Sequence, residues 1–409
     1  MSSPETASQA ASAAVAADLE RRNDYWSVVL RQFHKNKLGY VGLAFISILS
    51  LIAIFAPFLA DNRPILLKMK GELSSPLLKA FTPTDWFLFL GFIIAALSLA
   101  AFRLLRRRKW ERGRAVRRIF LVTAPIWILV AIFSLTRKDY IDPRDYWEES
   151  QGFQAGEWVL FPLVPFSYDQ QNLMSIYLKP GDKENRGTHW LGTDSTGRDI
   201  MARLIHGSRI SLSVGFVAVG IYIAIGTFVG ALAGYYGGKV DAVLSRFIEI
   251  IICFPTLFLI LTVLAVLPQS IFTIMAVIGV TRWPDAARLV RAEFLKQKSL
   301  DYVSAARALG AAPRRVIFRH ILPNAMSPVF VSATFGIAGA ILIESALSFL
   351  GLGVPPPAPS WGQALSSGRA EPLYWWLAVF PGAAIFITMT SFNLLGEALR
   401  DALDPRLKT

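Results

Sequence analysis

The chain has 409 residues, of which 54% are hydrophobic and only 17% are charged, a balance that excludes an ordinary soluble domain. Its net charge of +13 would suggest nucleic-acid binding in a soluble protein, but membrane proteins collect Lys and Arg in their cytoplasmic loops. We therefore predict an all-α polytopic membrane protein that contacts membrane lipid and no nucleic acid.

The first elements in chain order are a polar tail and an apolar run. Residues 1–38 begin with small polar residues and lack the basic start and apolar centre of a signal peptide, which predicts a cytoplasmic N-terminal tail. Residues 39–60 carry no charge until the run ends, and they are long enough for a helix across a bilayer core of about 30 Å. They predict the first transmembrane helix, and residues 61–85 an external segment.

Residues 86–136 predict a transmembrane hairpin. Its two apolar runs, 86–102 and 119–136, are joined by RLLRRRKWERGRAVRR, in which nine of sixteen residues are Lys or Arg. Residues 137–207 follow as a long external loop.

Residues 208–397 hold the remaining apolar runs and form the predicted core. Crossings are expected at 210–238, twice between 242 and about 286, at 326–352 and at 373–396, which gives about eight spans in all. The second crossing of the pair is short, because Arg282 interrupts it.

Orientation follows from the positive charges. The N-terminal tail, the turn of the hairpin and the loop at 287–325 are all basic, and an even number of spans places them on one side. Both termini, including the tail at 398–409, are therefore predicted to be cytoplasmic.

The loop at 287–325 contains DYVSAARALGAAPRRVIFRHILPNA, residues 301–325, a charged segment between two apolar runs. Asp301 can cap a helix that runs from Tyr302 to about Leu309, Gly310 can end it in the left-handed conformation, and Pro313 suits the first turn of a second short helix. The sequence therefore predicts two short helices at an angle.

The surface of this helical pair has two features. Small side chains would make one face of the first helix smooth, so that another surface can approach closely, and arginines around it could pair with carboxylates of a partner. The residues are Ala305, Ala306, Ala308, Arg307, Arg314, Arg315 and Arg319. The alternative is a solvated hairpin, since Ala, Leu and Arg are good helix formers.

The same segment resembles the coupling loop of ABC-importer permeases, which reads Glu-Ala-Ala, three residues, Gly, nine residues, Ile, any residue, Leu-Pro. The matching residues are Ala305, Ala306, Gly310, Leu322 and Pro323. Ser304 stands in place of the Glu and His320 in place of the Ile, and both departures occur in the peptide-transporting branch of the family.

Other stretches resemble the same branch. HWLGTDSTGRDIMARLIHGSRISL, ESALSFLGLGVPPPAPSWGQAL and GEALRDALDPRL are similar to segments of oligopeptide and dipeptide permeases of the C type, and DNRPILLKMKGELSSPLLKAF resembles the Yej-type subgroup, which is associated with longer peptides. The resemblance implies a type I ABC-importer permease core of six helices, to which residues 86–136 add a hairpin. Lipid contact or an accessory subunit are the options for that insert.

The resemblance also implies partners and a mechanism. Such a permease pairs with a second permease subunit of the B type, two ATPase subunits and a periplasmic or extracellular substrate-binding protein, and moves peptides across the bacterial inner membrane by alternating access. ATP and magnesium would lie in the ATPases, because Gly238-Lys239 lacks the Walker spacing. No catalytic, cofactor-binding or metal-ligating residue is assigned to this chain. Importers of nickel, opines or other small solutes remain alternatives.

Two further sets of residues are candidate functional residues. In the external loop, a string of turn formers could cap the next helix or contact the binding protein: Gly192, Asp194, Gly197, Arg198 and Asp199. Glu344 falls inside a predicted span, where an ionisable group is costly. It could line the translocation path or hydrogen-bond a neighbouring helix.

Two rival functions come from other classes. His189, Asp194, Ser195 and Asp199 in one loop could suggest an intramembrane hydrolase, but no nucleophile elbow or oxyanion site accompanies them. A channel or an ion-coupled carrier would have no need of a docking hairpin.

Overall fold

A computed structural model describes Val29 and residues 32–107, 112–136, 144–154 and 156–403. Most of the predicted N-terminal tail, the turn of the inserted hairpin at 108–111, the start of the external loop at 137–143 and the last residues, 404–409, lie outside the described residues. The chain divides into two compact units. The first unit comprises residues 1–47, 212–347 and 385–409, and the second unit comprises residues 48–211 and 348–384.

Most of the described residues are helical. The helices are α1 (Lys37–Ile54), α2 (Ala56–Leu59), α3 (Pro76–Lys79), α4 (Pro83–Arg107), α5 (Arg112–Thr136), α6 (Tyr146–Ser150), α7 (Ile200–Tyr236), α8 (Gly238–Ile252), α9 (Thr256–Val266), α10 (Ile271–Lys298), α11 (Asp301–Ala308), α12 (Pro313–Arg315), α13 (Leu322–Phe349), α14 (Trp361–Ala370) and α15 (Trp376–Leu403). A π-helical turn, Val316–Ile321, joins α12 to α13.

Six helical runs in the described part of the chain are long and apolar enough to cross a membrane: α1, α4, α5, α7, Pro313–Phe349 and α15. A seventh is obtained if the bent pair α8 and α9 counts as one span. The remaining predicted crossing falls on α10, which continues through Arg282 to Lys298 and is not among these runs. The number of eight spans therefore stays a prediction.

The bend between α8 and α9 was not predicted. The two helices meet at 79° around a break at residues 253–255. Pro255 stands at the N-cap of α9, and a proline disfavours the helical conformation of the residue before it. The straight crossing expected from residue 242 is therefore broken at this proline.

Helix α7 is longer than the sequence predicted. It begins at Ile200, inside the predicted external loop, and not at residue 210. The carboxylate of Asp199 accepts a hydrogen bond of 2.7 Å from the N–H of Ala202, so a capping side chain starts the helix early. Helix α15 likewise extends past the predicted boundary at 397, to Leu403.

Within the first unit, three glycines of α7 lie directly against α10. A methyl group on Gly226 would come within 2.8 Å of the backbone nitrogen of Ala287, one on Gly230 within 2.5 Å of the carbonyl oxygen of Ala287, and one on Gly234 within 2.5 Å of the Cβ of Phe294. Small residues at four-residue spacing allow such close approach of helices in membranes. Gly234 therefore packs against α10 within α7, two residues before the helix ends at Tyr236.

The second unit contains short strands that the all-helical prediction did not include. Strands β1 (Leu66–Met69), β2 (Glu72–Ser74) and β3 (Trp158–Leu160) form an antiparallel sheet in the order β2-β1-β3. Strands β4 (Asp182–Glu184) and β5 (Gly187–His189) form a hairpin. Pairing of Leu67 with both Ser74 and Val159 joins the two predicted external segments. Strands of three or four residues are too short to show a period in sequence.

One arginine links the start of α4 to α1 and α7. Arg209 on α7 donates hydrogen bonds to the carbonyl of Ala53 and, at 2.9 Å, to that of Ile54, at the end of α1 where carbonyls lack helical partners. The same guanidinium pairs with Asp85 in the first turn of α4. The first turn of α4, which leads into the predicted hairpin, is therefore linked to α1 and α7 through Asp85.

The predicted external turn is organised by Asp194. Its buried carboxylate accepts hydrogen bonds from Thr196, from the backbone N–H and Nε of Arg198, and from Nη1 of Arg203 at 2.6 Å. Burial would raise the pKa of Asp194, but the positive charges of Arg203 and Arg198 outweigh it, and the pKa lies below its ordinary value of 3.8. Gly197 in the left-handed region completes the turn.

His189 joins this turn to the β4–β5 hairpin. Its Nδ1 lies 2.8 Å from Asp199 and its Nε2 lies 2.9 Å from Glu184, while Phe166 stacks on the ring at 4.1 Å. Burial lowers the pKa of His189, but the hydrogen bonds with Asp199 and Glu184 outweigh it, and the pKa lies above 6.5. An imidazole that faces carboxylates on both nitrogens satisfies both only when it is protonated.

Replacing Asp194 by Asn should destabilise the second unit by about 3–5 kcal/mol, because the buried guanidinium of Arg203 would lose its counter-charge. The measurement is the unfolding temperature in detergent, followed by protease sensitivity of the second unit. Glu72→Gln, at an exposed position of β2, is the matched control and should leave the unfolding temperature unchanged. Equal unfolding temperatures for both variants would contradict the role of Asp194.

His189 should make stability depend on pH. Because its pKa is raised on folding, its stabilising effect is complete below about pH 6.5 and is lost as the pH rises through the raised value. The unfolding-temperature difference between wild type and His189→Gln should be largest near pH 6 and shrink toward about pH 9. A difference that does not vary with pH would show that His189 acts only by packing.

Candidate functional site

The segment after α10 has the helix–turn–helix form that the sequence predicted. Helix α11 ends at Ala308, Gly310 adopts φ +78° in the left-handed region, and Pro313 occupies the first turn of α12. We call residues 301–321 the coupling hairpin. A methyl group on Gly310 would meet no atom within 4 Å, so glycine is required here by the backbone conformation and not by packing.

Two details of the predicted hairpin are wrong. Leu300, and not Asp301, stands at the N-cap, and no side chain caps α11. Asp301 is the first helical residue, where its negative charge still favours the helix dipole. Pro313 does not open a separate short helix, because the chain continues from α12 through the π-helical turn into α13.

The π-helical turn has a local cause in the sequence. Pro323 has no N–H, and its ring would clash with the carbonyl of Arg319 in a regular α-helix. In the wider turn, the N–H of Leu322 instead bonds to the carbonyl of Ile317, five residues before it. Leu322 and Pro323, predicted as loop residues, therefore lie in the first turn of α13.

An apolar cluster holds the coupling hairpin on α7 and α10. Val303, Ala306, Val316, Ile317 and Ile321 are buried in it, and their partners are Ala231 and Tyr235 of α7 and Val290 and Phe294 of α10. The predicted smooth face is therefore only partly correct. Ala305 and Ala308 are exposed, whereas Ala306 points into the cluster.

Tyr302 connects the two ends of the coupling hairpin. Its hydroxyl donates a hydrogen bond of 2.8 Å to Oε1 of Gln297 at the end of α10. Asn324 in α13 donates to this hydroxyl at 3.3 Å and to the carbonyl of His320 at 3.0 Å. The sequence gives no signal for Gln297 and Asn324, because their side chains reach Tyr302 only after the hairpin has folded.

The outer surface of the hairpin combines apolar and positive groups. Leu309 is 89% exposed and Phe318 is 58% exposed, and Arg314 and Arg315 lie on the same exposed stretch. Arg307 differs from these two, since its guanidinium lies over the ring of Tyr235 at 5.1 Å. The outer surface therefore combines exposed apolar side chains with arginines. The sequence predicted the arginines but not the exposure of Leu309 and Phe318.

The other predicted site residues lie in enclosed positions. Glu344 is 0% exposed within its own chain, so a place on the translocation path stays a prediction. Of the external motif, Asp194 and Asp199 are buried with Gly192 and Gly197, and Arg198 bonds to Asp194. Ser195 alone among residues 192–199 is exposed, so contact with a binding protein also stays a prediction.

Two family models match the sequence. The binding-protein-dependent transport system inner membrane component matches residues 226–409, which include the coupling hairpin. The N-terminal TM domain of oligopeptide transport permease C matches residues 24–70.

Curated relatives extend the similarity. The chain is 40% identical over 244 residues to the oligopeptide transport system permease protein OppC of Bacillus subtilis, which covers 59% of this chain and 78% of that one. It is 42% identical over 225 residues to the dipeptide transport system permease protein DppC of Alkalihalophilus pseudofirmus, covering 54% and 73%. It is 38% identical over 282 residues to the glutathione transport system permease protein GsiD of Pectobacterium atrosepticum, covering 65% and 92%.

These matches, together with the hydrophobic helices and the coupling hairpin, confirm the resemblance drawn from the sequence. The chain belongs to the inner-membrane permeases of binding-protein-dependent ABC importers, in the oligopeptide and dipeptide permease branch.

Proposed function

We propose that this chain is one of two permease subunits of an ATP-driven importer that moves peptides into the cell by alternating access. A second permease of the B type, two ATPase subunits and an external substrate-binding protein complete the complex. Both termini and the coupling hairpin face the cytoplasm, and ATP and magnesium bind to the ATPases. The structure of the coupling hairpin carries the proposal. Its outer surface exposes Leu309 and Phe318, while its buried face packs on α7 and α10.

The packing of the hairpin suits the transmission of force. Its buried face contacts α7 and α10 in one apolar cluster, and the Tyr302 hydroxyl links it to the end of α10. A displacement of the hairpin by closing ATPases would therefore move both helices together and not bend a flexible loop. Such a rigid element is what an alternating-access switch requires.

The substrate class rests on the relatives, whose names give oligopeptides, dipeptides and glutathione as cargo. Nickel, opines or another small solute remain the alternative cargo. A hydrolase is disfavoured by the geometry of His189, because both ring nitrogens face carboxylates and neither faces Ser195. A base without a nucleophile beside it cannot perform acyl transfer.

Native mass spectrometry of the tagged protein, extracted gently from its own membrane, tests the assembly. We expect one second permease and two ATPase chains with each copy. The variant Arg314→Glu should lose ATPase chains, because it places a negative charge on the positive docking surface. A wild-type complex without ATPases, or an Arg314→Glu complex of normal composition, would count against docking at the hairpin.

Replacing Gly310 by Val should uncouple ATP hydrolysis from peptide uptake. A β-branched residue at φ +78° is strained by about 1–2 kcal/mol, so the hairpin should shift relative to the core. Uptake should fall at least about tenfold, an effect of 1.4 kcal/mol or more, while the protein stays in the membrane.

Gly71→Val is the matched control for this experiment. Gly71 also has a positive φ, +84°, and open space around it, but it lies in the β1–β2 turn of the second unit. The control should transport normally. Similar uptake by the two variants would show that backbone strain at Gly310 has no bearing on coupling.

A further inference from the structure

Arg282 lies in the interior of α10, beside two helices that are candidate spans. Its guanidinium is 5.9 Å from the centre of the Tyr222 ring on α7. On α13, a methyl group on Gly339 would come within 2.9 Å of Nη1 of Arg282. The absence of a side chain at Gly339 therefore gives the guanidinium its space between α7 and α13.

These two contacts fix the depth of Arg282 along the spans. Tyr222 lies 14 residues before the end of α7, which is about 21 Å along the helix axis. Gly339 lies 10 residues before the end of α13, or about 15 Å from that end. In a hydrocarbon core of about 30 Å, a group at these distances from the helix ends lies near the middle of the membrane.

No carboxylate of the described residues lies within ion-pair distance of Arg282. The acidic residue one turn further along α10, Asp285, pairs with Arg288 at 3.3 Å, and both of those side chains are 59% exposed. The Arg282 side chain is half-buried, with Tyr222 and Gly339 on its covered side. A guanidinium carries five N–H donors, and a charge at this depth is costly unless water or a ligand reaches it.

We propose that Arg282 is a carboxylate-binding residue on the translocation path and that it receives the C-terminal carboxylate of a peptide during transport. The planar fork of a guanidinium matches a carboxylate with two parallel hydrogen bonds. The Tyr222 ring holds the guanidinium in place without neutralising its charge. The inference rests on the proposed function, since it requires a peptide in the path.

The test compares uptake of a labelled peptide with uptake of the same peptide carrying a C-terminal amide. Both are measured for the complete complex in proteoliposomes, with the same binding protein in every sample. The variants are Arg282→Gln, Arg282→Lys and, as the matched control, Arg288→Gln. Because the preference of the binding protein is common to all samples, a change in the acid-to-amide ratio reports on the permease.

For Arg282→Gln, we expect the acid-to-amide uptake ratio to fall about tenfold, which corresponds to one lost charge-assisted contact. Arg282→Lys should lie between wild type and Arg282→Gln, because the charge is kept and the fork is lost. Arg288→Gln should keep the wild-type ratio. Native mass spectrometry should show the complete complex for all three variants, and basal ATP hydrolysis should be unchanged in the control Arg288→Gln.

Several results would overturn the inference. An unchanged ratio in Arg282→Gln, or an equal decrease in uptake of acid and amide, would mean that Arg282 does not bind the carboxylate. Loss of a subunit from Arg282→Gln would mean that a carboxylate of a partner subunit is its counter-charge. If wild type assembles and hydrolyses ATP but takes up neither peptide, the peptide function itself fails and the inference fails with it.

Discussion

The close contact between α7 and α10 is the constraint on which the first unit depends. At Gly226, Gly230 and Gly234 there is no room for even a methyl group, so the two backbones meet without intervening side chains. In a bilayer, apolar side chains gain little by leaving lipid, and tight backbone contact with its dispersion energy determines which helices associate. The coupling hairpin packs on the C-terminal part of each helix of this same pair, through Tyr235 and Phe294.

The polar contacts near the hairpin reinforce the same pair of helices. Arg291 on α10 forms two hydrogen bonds with Asp241 in the first turn of α8, which follows α7 directly. The Tyr235 ring of α7 lies under both Arg307 and Lys298. Two cations near one aromatic ring link the hairpin and the end of α10 to α7 without burying an ion pair. Dispersion and cation–π contact thus hold the hairpin on α7, and packing and the Tyr302 hydrogen bond hold it on α10, which Arg291 in turn joins to α8.

The sequence predicted the parts of this protein that local physics determines. Long apolar runs predicted most of the spans. The backbone requirement at Gly310 predicted the end of α11, and the fixed φ of Pro313 predicted the start of the next helix. The orientation of Ala306 could not be predicted, because a small residue tolerates either side of a helix until its neighbours are known. The continuation of α10 through Arg282 could not be predicted either. A hydropathy pattern treats a charge as the end of a span, and it does not show that the ring of Tyr222 lies beside the guanidinium.

The contacts of Arg209 connect the stability of the end of α1 with the start of α4. The guanidinium satisfies carbonyls of Ala53 and Ile54 at the end of α1, where they have no helical donors. Asp85, in the first turn of α4, supplies the negative charge that makes a largely buried arginine tolerable there. The end of α1 and the start of α4 therefore bind the same guanidinium. Loss of Asp85 would leave an unbalanced positive charge beside the last carbonyls of α1, so the start of α4 contributes to the stability of that helix.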